Sequence, residues 1–366
     1  MQIAGYSFSD ALNALLPAIA RADWLALYLI WGTVVFAAIV TFWQIRKEPG
    51  GLRAFLRHCL PPGVLAHKSA RADLLFWLSR RIFIPLLVVP LGLSTITAGY
   101  AAYSLLSLIF GPVAHTGPAS TLTLCAFTLS MVIAYDLSYY VYHYLCHTVP
   151  MLWELHKVHH SAQVMVGVTK DRVHPLDEVL NRWWNGLIPG VTYGIWLFFA
   201  LDPVELTVFG VSAYTIRNLL MMDVVRHTHL EMSYGKWLNK IFLCPYWHQL
   251  HHSIEPRHYN RNYGLLLSVW DELFGTIAVP EPGEHFTFGL ANGEHDEYQS
   301  LTRLHVVPVV KIWGLASDWM RRHVPLGHAG GSPDGTLQKL STEGDFAMAS
   351  AADVAAGGKH PGLESR

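Results

Sequence analysis

The chain has 366 residues, 14% of them charged and 12% aromatic, with a mean hydropathy of +0.27. So little charge argues against a pair of ordinary soluble domains, in which about a quarter of residues are charged. A formal net charge of −1 leaves no basic footprint for a nucleic-acid partner, and Cys59, Cys125, Cys146 and Cys244 are too scattered for a disulfide framework or a zinc knuckle. The composition predicts an all-α, polytopic membrane bundle.

In chain order, residues 1–20 read as a short amphipathic lead-in without the basic start and small-residue cleavage site of a secretory signal. The first candidate span is Trp24 to Trp43, uncharged, with tryptophans near both ends as interfacial anchors. Residues 46–81 follow with eight Lys/Arg against two acids. A second span is expected from Ile82 to Phe110, with Pro85 and Pro90 as sites for a kink, and a third from about Thr121 into Asp136 and His143. The positive-inside rule assigns the basic loop 46–81 to the cytoplasm. Three crossings then bring His143 to that face. The apolar block 183–222, broken at "LDP" (Leu201 to Pro203), reads as two short helices that enter and return, which delivers residues 223–280 to the same side. Four regions result: membrane helices and basic loop (1–120), a catalytic region (121–280) whose histidine-rich helices cap the bundle on the cytoplasmic face, a polar cytoplasmic extension (281–327) and a tail of disordered composition (328–366).

Twelve of the 21 histidines fall between His143 and His258. His143 and His147 are spaced i, i+4, which puts both rings on one helix face. "HKVHHS" (His156, His159, His160) and "HQLHHS" (His248, His251, His252) share one spacing. Such repetition points to metal ligation, and eight or more clustered imidazoles exceed the four ligands that close a single structural zinc site. Two ions sharing a pocket are expected; zinc, copper, iron and nickel all suit imidazole. Asp136, with Glu154 and Asp271 behind it, is the expected carboxylate that orients the rings. A metal transporter using His-rich segments and a zinc-dependent membrane hydrolase are the rival readings.

The strings "DLSYYVYHYLCHTVPMLWELHKVHHS", "DRVHP", "RHTH", "WHQLHHS" and "NYGLLLSVWDELFGT" resemble the fatty acid hydroxylase superfamily, also called the sterol desaturase family, over residues 120–280. The resemblance implies a non-haem di-iron centre at a cytoplasmic membrane face, in the bacterial inner membrane or the endoplasmic reticulum. It implies O₂ as co-substrate, a lipid entering from the bilayer, and electrons from a separate donor such as a ferredoxin or b-type cytochrome. By matching position it implies His143, His147, His156, His159, His160, His248, His251 and His252 as ligands. His227 stands as the single histidine before the last box, His174 as the histidine before proline, and His229 at a position where members often carry Asn. Asn262, Tyr263 and Gly264 match the closing motif, read as a turn before a helix that floors the site. Zinc can replace iron in such a site in purified protein. The chain has no GxGxxG and no fused cytochrome, so oxygenation requires the external donor; the basic loop could steer an acidic one. The acyl chain is expected between the helices of 82–142 and 183–222. Hydroxylation of a lipid is the first reading, with desaturation and ether cleavage as variants.

Overall fold

The computed structural model describes residues 34–43, 49–113, 119–200, 220–281 and 283–323, with short pieces at 2–3, 6–7, 32, 45–46, 207–208, 211–212 and 217. Of residues 81–93 the backbone alone is described. The expectations for most of the 1–20 lead-in, the start of the first span, the break at Leu201 to Pro203 and the tail lie outside the described residues. Helices dominate; the strands are two-residue antiparallel pairs, Gln2–Ile3 with Tyr6–Ser7 and Thr207–Val208 with Val211–Ser212. The second pair sits where a returning helix is expected in 183–222.

The helices that position the site are α1 (Val34–Trp43), α2 (Gly51–Cys59), α3 (Pro62–Leu65), α4 (Lys68–Phe110), α5 (Thr121–Thr148), α6 (Pro150–His160) and α7 (Pro175–Phe199). Then come α8 (Asp223–Arg226), α9 (Pro245–His251), α10 (Val269–Leu273) and α11 (Leu301–His323). The helix that contains the expected second span therefore begins earlier than the apolar run suggests. The His67 side chain caps Ser69 N–H, and one helix of 43 residues, about 65 Å long, continues through Pro85 and Pro90. Among the described residues, α5 is the helix long and apolar enough to cross a membrane; Val34–Trp43 and Ser94–Phe110 are apolar but shorter. The extension 281–327 is more ordered than its polarity implies. It contains the 23-residue α11, whose Leu304 and Pro308 are buried. The chain divides into two units, 1–318 and 319–366, and the described part of the second is the last turn of α11.

Helix α7 packs along α4 through Gly186, Gly190 and Gly194, spaced one turn apart. A Cβ at Gly190 would lie 2.6 Å from the Thr95 carbonyl oxygen, and Cβ atoms at the other two would collide with Ser94 and with the Gly99 backbone. Only glycine lets the two backbones approach so closely. Trp184 Nε1–H donates to the Ser138 carbonyl (3.1 Å) and Trp196 Nε1–H to Ser130 Oγ (2.7 Å), locking α7 onto α5. The N-terminal turn of α7 is held from α4, where Arg80 pairs with Asp171 and Glu178.

Arg172 is the central tie. Its fully buried guanidinium donates to Asp73 (2.6 Å), Ser161 Oγ (2.8 Å) and the carbonyls of Val158 (2.9 Å) and Tyr298 (2.9 Å). It joins α4, α6 and the turn before α11 beside an apolar cluster of Phe76, Val158, Leu290 and Leu304. Removing the countercharge leaves a buried cation uncompensated, so Asp73→Ala is expected to destabilise this unit by about 3–5 kcal/mol. Thermal unfolding of the detergent-solubilised protein would measure the loss, and an unchanged midpoint would contradict the role given to Arg172.

Candidate metal centre

Three chain segments carry the histidine boxes to one place. Helix α5 delivers His143 and His147 from its last two turns before Pro150 restarts the chain as α6. Helix α6 delivers His156, His159 and His160; α9 delivers His248 and His251, with His252 at its C-cap; and His227 caps α8. All but His147 are buried.

The rings sort into two groups. His143, His147, His156, His160 and His251 each offer a nitrogen within 4.8 Å of all the others, and so do His159, His227, His248 and His252. The HxxHH spacing explains the split. In the second box the i, i+4 pair His156 and His160 serves the first group while His159 serves the second. In the third box the i, i+4 pair His248 and His252 serves the second group while His251 serves the first. The groups adjoin, for the His160 ring stacks on His252 at 4.5 Å between centroids.

Backbone and carboxylate acceptors fix which nitrogen faces inward. Nδ1–H of His143 donates to the Tyr263 carbonyl (2.8 Å), that of His251 to the Arg261 carbonyl (2.7 Å), that of His227 to the Asp223 carbonyl (2.8 Å) and that of His156 to Asp177 Oδ2 (3.1 Å). Each such bond places the proton on Nδ1 and leaves a lone pair on Nε2. In the first group Nε2 of His143, His147, His156, His160 and His251 is buried and has no hydrogen-bond partner. An unpaired buried polar atom costs about 1–3 kcal/mol, so five at one point demand a common partner. In the second group Nε2 of His227 lies 3.2 Å from that of His159 and 3.1 Å from that of His248, which is 3.3 Å from that of His252. Protons can bridge some of these nitrogens; a cation satisfies all four. The donor set therefore fits two metal ions, five imidazoles to one and four to the other.

Ligation requires neutral imidazoles, and burial holds several of these rings in that form. Burial and then neighbouring imidazoles hold His159, His160 and His252 well below 6.5, and burial followed by His227 does the same for His248. Burial lowers His227 to about 4 and His251 to about 3, each against the opposing pull of its backbone acceptor.

Three expected site residues stand elsewhere. His174 belongs to neither group, for its Nδ1 accepts from Leu176 N–H (3.2 Å) and its Nε2–H donates to the His305 carbonyl (3.0 Å). It is the N-cap of α7. His229 turns away and donates to the His58 carbonyl (2.6 Å). Asp136 touches no imidazole. Its carboxylate accepts from the Leu266 and Leu267 amides (2.8 and 3.2 Å) and from Trp270 Nε1–H (2.8 Å), so it holds the loop whose Tyr263 carbonyl orients His143.

Glu154 is paired with Lys157 (2.8 Å), away from the rings. Asp271 accepts from the Tyr263 and Gly264 amides (2.8 Å each), while burial pushes its carboxyl up to about 6. The closing motif is thereby explained. Asn262, at φ 56°, bridges the carbonyls of Trp247 and Ala278. A Cβ on Gly264 would sit 2.5 Å from the Leu267 carbonyl oxygen.

The carboxylate that does orient a ring is Asp177, in the first turn of α7. It accepts from His156 and from the Tyr142 hydroxyl (2.6 Å). Its signal in the sequence is the acid three residues after His174 in "HPLD".

Residues 128–276 match the family described as fatty acid hydroxylase. This segment is a fatty acid hydroxylase domain. It holds all nine converging histidines. The chain is similar to the ornithine lipid hydroxylase OlsE of Rhizobium tropici, 33% identical over 152 residues that make up 42% of this chain and 41% of that protein. Similarity to the alkylglycerol monooxygenase of Danio rerio is 30% over 160 residues, 43% of this chain and 31% of that one. The human alkylglycerol monooxygenase is 26% identical over 168 residues, 44% and 33% respectively. The chain thus spans less than half the length of these relatives. No solved structure matches it.

Two outcomes follow from this geometry. Asp177→Asn removes the acceptor that fixes His156, and loss of such support lowers metal affinity about 10–100-fold; competition with a metallochromic chelator would measure it. In the metal-free protein, a ring with a depressed folded-state pKa stabilises the fold above its unfolded value and loses that contribution as pH falls. For His227 the window runs from 6.5 to about 4. The melting temperature of the metal-free protein is expected to fall across this range; a flat profile would contradict the neutral buried imidazoles.

Proposed function

We propose that the chain is a membrane-bound, O₂-dependent oxidoreductase that hydroxylates a C–H bond of a lipid, with two iron ions held by the paired histidine groups. The observation that carries this reading is the set of nine inward-facing imidazole nitrogens in two adjoining groups, within a fatty acid hydroxylase domain. The named relatives, an ornithine lipid hydroxylase and alkylglycerol monooxygenases, favour oxygen insertion over desaturation. A fixed, buried cluster tied down by backbone carbonyls also speaks against a transport path, and nine ligands exceed what one hydrolytic zinc needs.

Iron bound there would supply the activation of O₂ and the cleavage of an unactivated C–H bond. One oxygen atom enters the substrate and the other leaves as water, with two electrons from an external ferredoxin or b-type cytochrome and two protons from solvent. The chain's own work is positional. Neutral imidazoles bind, the acceptors on Nδ1 hold His143, His156, His227 and His251 in one tautomer, and the buried surroundings exclude water from the reacting volume. The exposed apolar side chains of α4, α5 and α7, such as Leu108, Leu122, Leu129 and Phe199, support a multi-pass bundle in contact with acyl chains. A cytoplasmic site and a donor landing on the basic loop 46–81 belong to the same proposal.

Mass spectrometry of lipid extracts from cells with and without the gene is expected to show a lipid that gains one oxygen. His156→Ala and His251→Ala should each abolish that product and leave membrane insertion intact. His295→Ala should leave both product formation and insertion intact, since its ring lies outside both groups and bonds the Leu290 carbonyl. Full product formation by His156→Ala would refute the assignment.

A further inference from the structure

An exposed apolar ridge next to the last box has no part in the histidine site. Residues 235–241, "GKWLNKI", turn outward with Trp237 74%, Leu238 52% and Ile241 48% exposed. Beside them Leu273 at the end of α10 is 67% exposed and Phe274 is 56% exposed. The two segments are one surface, because Ser268 N–H donates to the Ile241 carbonyl (3.0 Å) and Ser268 Oγ–H to the Asn239 carbonyl (2.8 Å). Contiguous large apolar side chains on a surface mark contact with a membrane or another protein.

Charge and depth identify which. Lys236 and Lys240 flank the Trp237 ring at 5.9 and 5.6 Å from its centroid, and among the described residues neither has a carboxylate within ion-pair distance. Between them opens a cavity of about 420 Å³ walled by Trp247, Ile277 and Val279, with Glu272 the one acid in its lining. Lysine beside exposed tryptophan and aliphatic residues is the pattern of a bilayer interface. The ridge also lies at the right height. Phe274 stacks on Tyr140 of α5 at 5.3 Å, and Thr276 Oγ1 is 2.9 Å from the Tyr140 hydroxyl. A span of about 20 residues from Thr121 ends near residue 140.

We propose that this ridge binds an anionic phospholipid of the bilayer, its headgroup phosphate between Lys236 and Lys240 and its acyl boundary against Trp237, Leu238, Ile241, Leu273 and Phe274. A soluble acidic protein would meet the same two lysines but would gain nothing from aliphatic side chains this exposed at the depth of Tyr140. The inference rests on α5 crossing a bilayer and is independent of the chemistry at the histidines.

The test uses the full chain in nanodiscs of phosphatidylcholine, with or without phosphatidylglycerol, and follows acetylation of Lys236 and Lys240 by peptide mass spectrometry. An anionic surface attracts each lysine by about 1 kcal/mol, or about fivefold, so phosphatidylglycerol is expected to slow labelling of both by about that factor. Lys236→Gln and Lys240→Gln should each lower phosphatidylglycerol retention in native mass spectra about fivefold. Equal labelling in the two lipids after normal insertion overturns this inference alone. Protection that appears only on adding an acidic redox protein overturns it in favour of donor docking. Failure to enter nanodiscs overturns the membrane reading beneath it.

Discussion

Everything in this domain depends on nine imidazoles that turn ring nitrogens toward one another in a largely buried space, five of them with no hydrogen-bond partner. Lone pairs packed this way repel and forgo the hydrogen bonds water would supply, so the arrangement opposes folding unless cations occupy it. Two ions would reverse the sign of that interaction. The fit to metal is thus written in the hydrogen bonding as much as in the ring count.

The scaffold serves that constraint. The Asp223, Arg261 and Tyr263 carbonyls and the Asp177 carboxylate each spend an acceptor on an Nδ1–H, and each sits on a segment braced from elsewhere. Asp136 and Asp271 clamp the loop that carries Tyr263. Arg80 holds the first turn of α7, which carries Asp177, against α4, and the α7 glycines let the rest of the helix close on α4. Buried acids here hold backbone amides, and through them the rings.

The boxes were legible because metal ligation needs rings on one helix face, and i, i+3, i+4 spacing writes that face into the sequence. The division of each HxxHH box between two groups was not legible, since it depends on how α6 and α9 approach each other. The sequence does not separate His174 and His229 from the converging rings for a related reason. A histidine next to a ligand-rich segment looks the same whether its ring turns in or caps a helix, and the Pro175 that follows His174 marks a helix start. Asp177 went unread because its partner, His156, is 21 residues away. Asp136 stands out in the sequence as an unusual acid in an apolar helix, yet its donors come from residues 266–270, beyond any local pattern. The helix Leu301–His323 is hard to read because Pro308 lies inside it, and a proline within a periodic run reads as a break.

The most direct test is a count of metal in the intact protein. Full-length chain loaded with ferrous ion under anaerobic conditions, freed of excess metal and assayed for iron and protein together, is expected to retain two irons per chain. Retention of one or none under conditions that preserve the fold would contradict the paired site on which this account rests.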